Sequence, residues 1–462
     1  MYLRRLFLLL LCCGISAQGE SVTIDISSPG RQCEGWGVSL CWWAAQCGRW
    51  PEERLDSLVD WLVSPQGLNY SVFRYNIGGG DDPNWTNCSP HHFGASGGKG
   101  LRAELEGFWD GPGQPYRWER DATQRRILLM IKKKRPDAVF EAFSNSAPWW
   151  MTISGCCAGN TPATADNVAP EMYETFARYL VDVCKHYKEE YGIEFATLDP
   201  FNEPVTDYWY QNGGQEGCHF APESQVAFVR VLHPLLQASG LKTIISAPDE
   251  TSVEQAIRTL QVYDQAGVLP LVGQWNTHTY HGSIESKQRL RQLCDSLGIR
   301  LWQSETGDGG RGLHGNLRMA QRLVDDIRHL QPAVWCDWQY VEENYDQWSL
   351  VKCDSEWGTF ERHYNYYVRQ HFSRFVPVGY RWVEVDDCHG LAALSPDGRE
   401  LVYVTLNGGR QSRLVEPQAP KGYRLKQVFR TSADERCQPL RTKKGQPLEL
   451  PPLSVVTAVY RR

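Results

Sequence analysis

The stretch Asp199-Pro200-Phe201-Asn202-Glu203-Pro204 ends a short apolar run and sets a carboxylate just before a proline break. Well downstream, Trp302-Gln303-Ser304-Glu305-Thr306-Gly307 repeats the arrangement, with a glutamate at the end of an apolar run and a glycine after it. A strand that stops at such a break is where a barrel of parallel strands hands a side chain to its mouth. Outward from these two stretches, apolar β-branched runs alternate with amphipathic ones, the pattern of parallel strands with crossover helices. Eight strands are expected, at 35–41, 72–77, 139–144, 196–202, 243–247, 274–279, 300–304 and 333–340. The fold class is α/β, a (β/α)8 TIM barrel with a small antiparallel side β domain, and 462 residues hold both.

The clearest helix precedes the fourth strand. Met172, Phe176, Tyr179, Leu180, Val183 and Tyr187 recur mostly at steps of three and four, Glu174, Arg178, Asp182 and Lys185 take the other faces, and Gly192 stops the run. A second helix, at 222–238, opens on Pro222, whose missing N–H costs nothing at the first helical position. Long polar insertions at 78–116 and 145–167 follow the second and third strands, on the face where such a barrel builds its site. From about Ser373 the helical period gives way to short β-like runs at 382–385, 391–394, 401–406, 423–429 and 455–460, with Ser395-Pro396-Asp397-Gly398 as a hairpin turn. The division expected is a leader at 1–17, an N-terminal strand of the side domain at 18–31, the barrel at 32–372 and the side β domain at 373–462.

Arg4 and Arg5 before an apolar stretch, with Ser16 and Ala17 after it, read as a secretory signal. The expected location is secreted or periplasmic, or the cell surface; Cys12 and Cys13 lack the small residues that normally precede a lipid-anchored cysteine. No segment after the leader is apolar enough to span a membrane. Cleavage would leave 13 of the 15 cysteines, an odd number without regular spacing, so at least one thiol is unpaired within the chain. Cys156 and Cys157, or Cys41 and Cys47, are candidates for bridges to other cysteines. A net charge of −6 and no basic run beyond 132–135 argue against nucleic acid. The 18 tryptophans and 21 tyrosines suit a carbohydrate groove, because aromatic faces stack on the C–H faces of sugar rings.

If the strand count holds, Glu203 ends the fourth strand and Glu305 the seventh, so the two carboxylates face each other across the mouth. A pair of this kind is what cleavage of a glycosidic bond requires, one group protonated and one ionised. Asn202 beside the acid can bond it or a sugar 2-hydroxyl. Arg74 is a cation inside an apolar strand and needs a carboxylate; Glu305 is the partner expected, with its pKa lowered by the pairing while a drier pocket raises that of Glu203. Trp149, Trp150, Tyr280, Trp335 and Trp338 fall near strand ends and are candidate subsite walls. His278 and His281 lack a third ligand nearby in sequence, so hydrogen bonding to hydroxyls is expected rather than a metal. No phosphate loop, dinucleotide fingerprint or nucleophile elbow follows a strand.

These residues resemble glycoside hydrolase family 30, nearest to its endo-β-1,6-galactanases. The resemblance is carried by Gly35-Trp36-Gly37-Val38-Ser39-Leu40-Cys41-Trp42-Trp43, Arg74-Tyr75-Asn76-Ile77-Gly78-Gly79-Gly80, Phe143-Ser144-Asn145-Ser146-Ala147-Pro148-Trp149-Trp150-Met151 and the two glutamate stretches. It covers nearly all of the chain after the leader. It implies a retaining hydrolase with Glu203 as general acid/base and Glu305 as nucleophile, a side β domain joined by both chain ends, and no cofactor. Substrate contacts are expected from Arg74, Asn145, Trp149, Asn202, His278, Tyr280, Trp335 and Trp338, with a polysaccharide or oligosaccharide as the partner. One departure is Ala147, where a second proline is expected.

Overall fold

The computed structural model describes residues 19–80, 82–84, 86–88, 105–343, 346–354, 358–441 and 445–462. The expected leader at 1–17 lies outside them. After a first strand, β1 (Glu20–Asp25), eight parallel strands close into a barrel: β2 (Gly35–Ser39), β3 (Val72–Asn76), β4 (Val139–Phe143), β5 (Thr197–Asp199), β6 (Ile244–Ser252), β7 (Gln274–His281), β8 (Arg300–Glu305) and β9 (Val334–Asp337). The ring shuts where Gly35 of β2 pairs with Val334 of β9. Every expected strand is present. The fourth of the barrel is shorter than the apolar run suggested, because Pro200 has no N–H to continue the ladder.

Strand pleating sorts the barrel interior into layers. Val72, Trp302, Val334 and Cys336 pack into an apolar layer. Two residues along β3 from Val72, on the same face, stands Arg74, and two along β4 from Val139 stands Glu141; both are fully buried. The sequence therefore changes the barrel filling from apolar to ionic as the strands run toward their C-terminal ends.

Helices cover the outside. In Tyr173–Tyr191 the expected stripe, Phe176, Tyr179, Leu180, Val183 and Tyr187, is buried. Gly192 ends this helix at φ 63°, a conformation that costs glycine little. The insertions after β3 and β4 are joined by a disulfide from Cys88 to Cys156, so Cys156 bridges to another cysteine as expected. Cys41, Cys47 and Cys157 are buried and form no disulfide among the described residues, as holds for most of the other described cysteines; Cys388 is exposed.

The side domain is a nine-stranded sheet in which β1 lies between Arg381–Val385 and Arg413–Gln418. The opening strand thus joins the chain's two ends, as its unpaired edges required. Its pairing with Arg413–Gln418 is parallel, Glu20 opposite Val415, so the sheet is not wholly antiparallel. The turn at Ser395-Pro396-Asp397-Gly398 forms, with Gly398 N–H donating to the Ser395 carbonyl at 2.9 Å. Three side-sheet strands were not expected, Arg413–Gln418, Gln438–Leu440 and Leu448–Leu450. Arg413–Gln418, inside the sheet between β1 and Leu448–Leu450, and Gln438–Leu440, at its edge, contain Pro417 and Pro439, which hides them from a reading based on β-branched runs.

Candidate active site

Glu305 is the last residue of β8, where a register irregularity beside β7 sets it opposite His278. Glu203 lies beyond the end of β5, in a turn rather than on the strand. Its φ is 47°, a left-handed conformation that non-glycine residues rarely adopt and that costs about 1–3 kcal/mol. The turn is held from several sides. Glu203 N–H donates to the Asp249 carbonyl at 2.8 Å, while Trp209 Nε1 and Thr206 Oγ1 donate to the Glu203 carbonyl at 2.9 and 3.2 Å.

Between the two glutamates sits His278. Its Nδ1 is 3.1 Å from Glu203 Oε1 and 3.6 Å from Glu305 Oε1, and its Nε2 is 3.4 Å from Asp249 Oδ1. One oxygen from each glutamate and a ring nitrogen of His278 all lie within 4.8 Å of one another. That spacing belongs with the short separations of retaining glycosidases, about 5–5.5 Å, and not with the 6.5–9.5 Å or so of inverting ones. Beneath Glu305, the fully buried Arg74 donates from Nη1 to Glu305 Oε2 and from Nε to Glu141 Oε1, each at 2.9 Å, and from Nη2 to Asp249. The expected partner is therefore right, but it is one of three. From above, Tyr280 Oη donates to the other oxygen of Glu305 at 2.9 Å.

The electrostatics reverse the expectation for the two acids. Burial alone would discharge His278, but Glu305, Asp249 and Glu203 around it outweigh burial and lift the imidazole to about 10. Burial pushes Glu203 upward, yet His278, Tyr208 and Thr251 bond its oxygens and leave it below the usual carboxylate range. For Glu305 burial is reinforced by Glu203 and Asp249, and together they exceed the pull of His278 and Arg74, so its pKa is raised. Arg74 does not serve Glu305 alone. In the fold that charge is shared with Glu141 and Asp249, while His278 serves Glu203. The trio Glu203, His278 and Glu305 is also tight enough to share a cation, which would compete with a proton for the imidazole.

Both glutamates line a cavity of about 410 Å³ at the C-terminal mouth of the barrel. Asn145, Asn202, Tyr280 and Trp338 line it too, as expected of them. The four other candidates lie elsewhere. Arg74 is 0% exposed and His278 likewise, so both act beneath the carboxylates and neither reaches a sugar. Trp149 lines a separate cleft of about 230 Å³ with Trp109, Asp110 and Arg120. Trp335 is packing, not a subsite wall: it alternates with the inward Cys336, meets Trp36 with ring centroids 6.3 Å apart, and donates from Nε1 to Asp326 Oδ2 at 2.9 Å.

Tyr208, Thr251, Asp308, Arg322 and Trp348 also line the mouth and were not anticipated. Tyr208, Asp308 and Trp348 sit on loops, where no periodicity marks them, while Thr251 lies on β6 and Arg322 in the helix Gly312–Asp325. Glu141 and Asp249 were missed as well. Glu141 was findable, since it is an acid at the inward register of the strand beside Arg74.

With this geometry in hand, comparison with known proteins is specific. The family described as O-Glycosyl hydrolase family 30 matches residues 19–259. An endo-beta-1,6-galactanase from Hypocrea rufa is 30% identical over 411 residues, which span 84% of this chain and 81% of that protein. Among solved structures, a conserved exported protein from Bacteroides fragilis superposes with a TM-score of 0.82 at 18% identity, over 95% of this chain and 100% of the other. The catalytic domain of GH30 xylanase C from Talaromyces cellulolyticus gives a TM-score of 0.70 at 18% identity, over 96% and 100%.

Proposed function

The chain belongs to O-glycosyl hydrolase family 30, and on that premise we propose that it is an exported enzyme that hydrolyses β-1,6-linked galactan side chains with retention of configuration. The observation that carries the chemistry is the cluster of Glu203, His278 and Glu305 at the barrel mouth. Glu305 attacks the anomeric carbon as Glu203 gives a proton to the departing oxygen, and the bond from that oxygen to the sugar breaks. In the second step Glu203 takes a proton from water, the water oxygen attacks the glycosyl-enzyme, and Glu305 leaves as a carboxylate.

The surrounding residues serve those steps. Arg74 and Tyr280 fix both oxygens of Glu305 and hold it in line for attack. In the free site His278, 3.1 Å from Glu203, favours the ionised carboxylate, and a sugar that enters and excludes water raises the carboxyl's proton affinity so that it can act as the acid.

The choice of β-1,6-galactan rests on similarity to the Hypocrea rufa galactanase over most of both chains. Export is supported by the leader pattern at 1–17 and by the Cys88–Cys156 bridge, which suits an oxidising compartment. Chromatography of products from β-1,6-galactan, β-1,6-glucan and xylan against time tests the reading. Galactose-containing oligomers of mixed length early in the reaction are expected; hydrolysis of only the glucan or the xylan would overturn the substrate.

A further inference from the structure

The two oxygens of the Glu203 carboxylate face different surroundings. Oε1 points inward to His278, which is 0% exposed, and Oε2 accepts from Tyr208 Oη at 2.6 Å. Tyr208 is 40% exposed and belongs to the loop after β5, where its ring meets the edge of Trp209 with centroids 4.7 Å apart. Trp209 in turn clasps the backbone of Glu203. The oxygen that can reach a glycosidic linkage is therefore the one that Tyr208 covers.

We propose that Tyr208 is a positioning residue for Glu203, its phenol holding the outward carboxylate oxygen in place until the leaving sugar displaces it. The inference rests on Glu203 being the acid/base. In the free enzyme the phenol bonds the ionised carboxylate and opposes its protonation. A sugar in the cavity takes over that position, the carboxyl is freed to hold the transferable proton, and once the aglycone departs the phenol can return and orient Glu203 as a base. No covalent bond to Tyr208 forms or breaks. Burial and the adjacent Glu203 raise its pKa well above the ordinary phenol value, so it stays a donor throughout.

Other groups facing Glu203 are His278 and Tyr280 from β7, Glu305 from β8 and Thr251 from β6. All of them remain when only the Tyr208 hydroxyl is removed. Tyr208→Phe keeps the ring on Trp209 and deletes the donor.

The experiment is the pH dependence of β-1,6-galactan hydrolysis by the wild type, Tyr208→Phe and Tyr208→Leu. The upper limb of kcat/KM reports the free enzyme and that of kcat the substrate complex. In both variants the upper limb of kcat/KM should move to higher pH by about one unit, the effect of one hydrogen bond to an ionised group, while the upper limb of kcat stays put. Unmoved limbs, or equal movement of both, would overturn the proposal, since a merely structural loop residue changes rates and leaves the profile alone. Glu203→Ala separates this from the reading beneath it. If the upper limb survives that substitution, Glu203 is not the acid; if it vanishes but Tyr208→Phe shifts nothing, only the role of Tyr208 is lost.

Discussion

Arg74 Nη1 donates to Glu305 Oε2 at 2.9 Å, and the guanidinium that makes this bond has no solvent exposure. The same group also bonds Glu141 and Asp249, so one delocalised cation answers three carboxylates below the mouth. Burying that many charges is tolerable only while the cation is present. Arg74→Met should cost about 3–5 kcal/mol of stability, and Arg74→Lys a large part of it, because an ammonium on a flexible stem lacks the planar fork. Denaturant unfolding measures both. A methionine variant as stable as the wild type would mean that the carboxylates are not ionised as described.

His278 gives a pH dependence with a definite sign. Its pKa stands at about 10 in the fold against 6.5 for an ordinary imidazole. A raised pKa means that folding favours the protonated form, so the stabilisation is fully present below about 6.5 and is lost as pH climbs through about 10. Thermal unfolding midpoints of the wild type should fall across this window more steeply than those of His278→Asn. Parallel curves would show that the imidazole is neutral in the native site.

Glu203→Ala should spare substrates with good leaving groups and cripple natural linkages, because an aryl group of low pKa departs without help. The loss on galactan should be about 10²–10⁴-fold in kcat/KM, the usual contribution of general acid catalysis. Added azide should restore turnover on the aryl substrate by replacing the base-activated water, and should give a glycosyl azide of unchanged anomeric configuration. Equal losses on both substrates would contradict the acid/base role.

Much of this was legible in the residues, for reasons that differ by element. The barrel strands were readable because both faces are covered, which draws apolar and aromatic residues into them, as in Val139–Phe143 and Val334–Asp337. Glu203 and Glu305 were readable because each precedes a break. What failed was any property that depends on who stands beside whom. The pKa directions of the two acids are the reverse of those expected because His278, 75 residues from Glu203 in the chain, bonds Glu203, and because burial with Glu203 and Asp249 outweighs the pull of His278 and Arg74 on Glu305. Trp335 was misplaced because proximity to a strand end says nothing about which side of the pleat a ring takes. Tyr208 carried no signal at all, being one aromatic in a loop that only its bond to Glu203 distinguishes.

The central claim is that Glu305 bonds covalently to the sugar while Glu203 manages the proton. Incubation with a 2-deoxy-2-fluoro-β-galactoside bearing a good leaving group, followed by peptide mass spectrometry, tests it most directly, since the fluorine slows the second step and lets the intermediate accumulate. The account predicts one fluorogalactosyl adduct, on the peptide containing Glu305, and none in Glu305→Gln. An adduct on any other residue, or turnover that inverts the anomeric centre without an adduct, would contradict it.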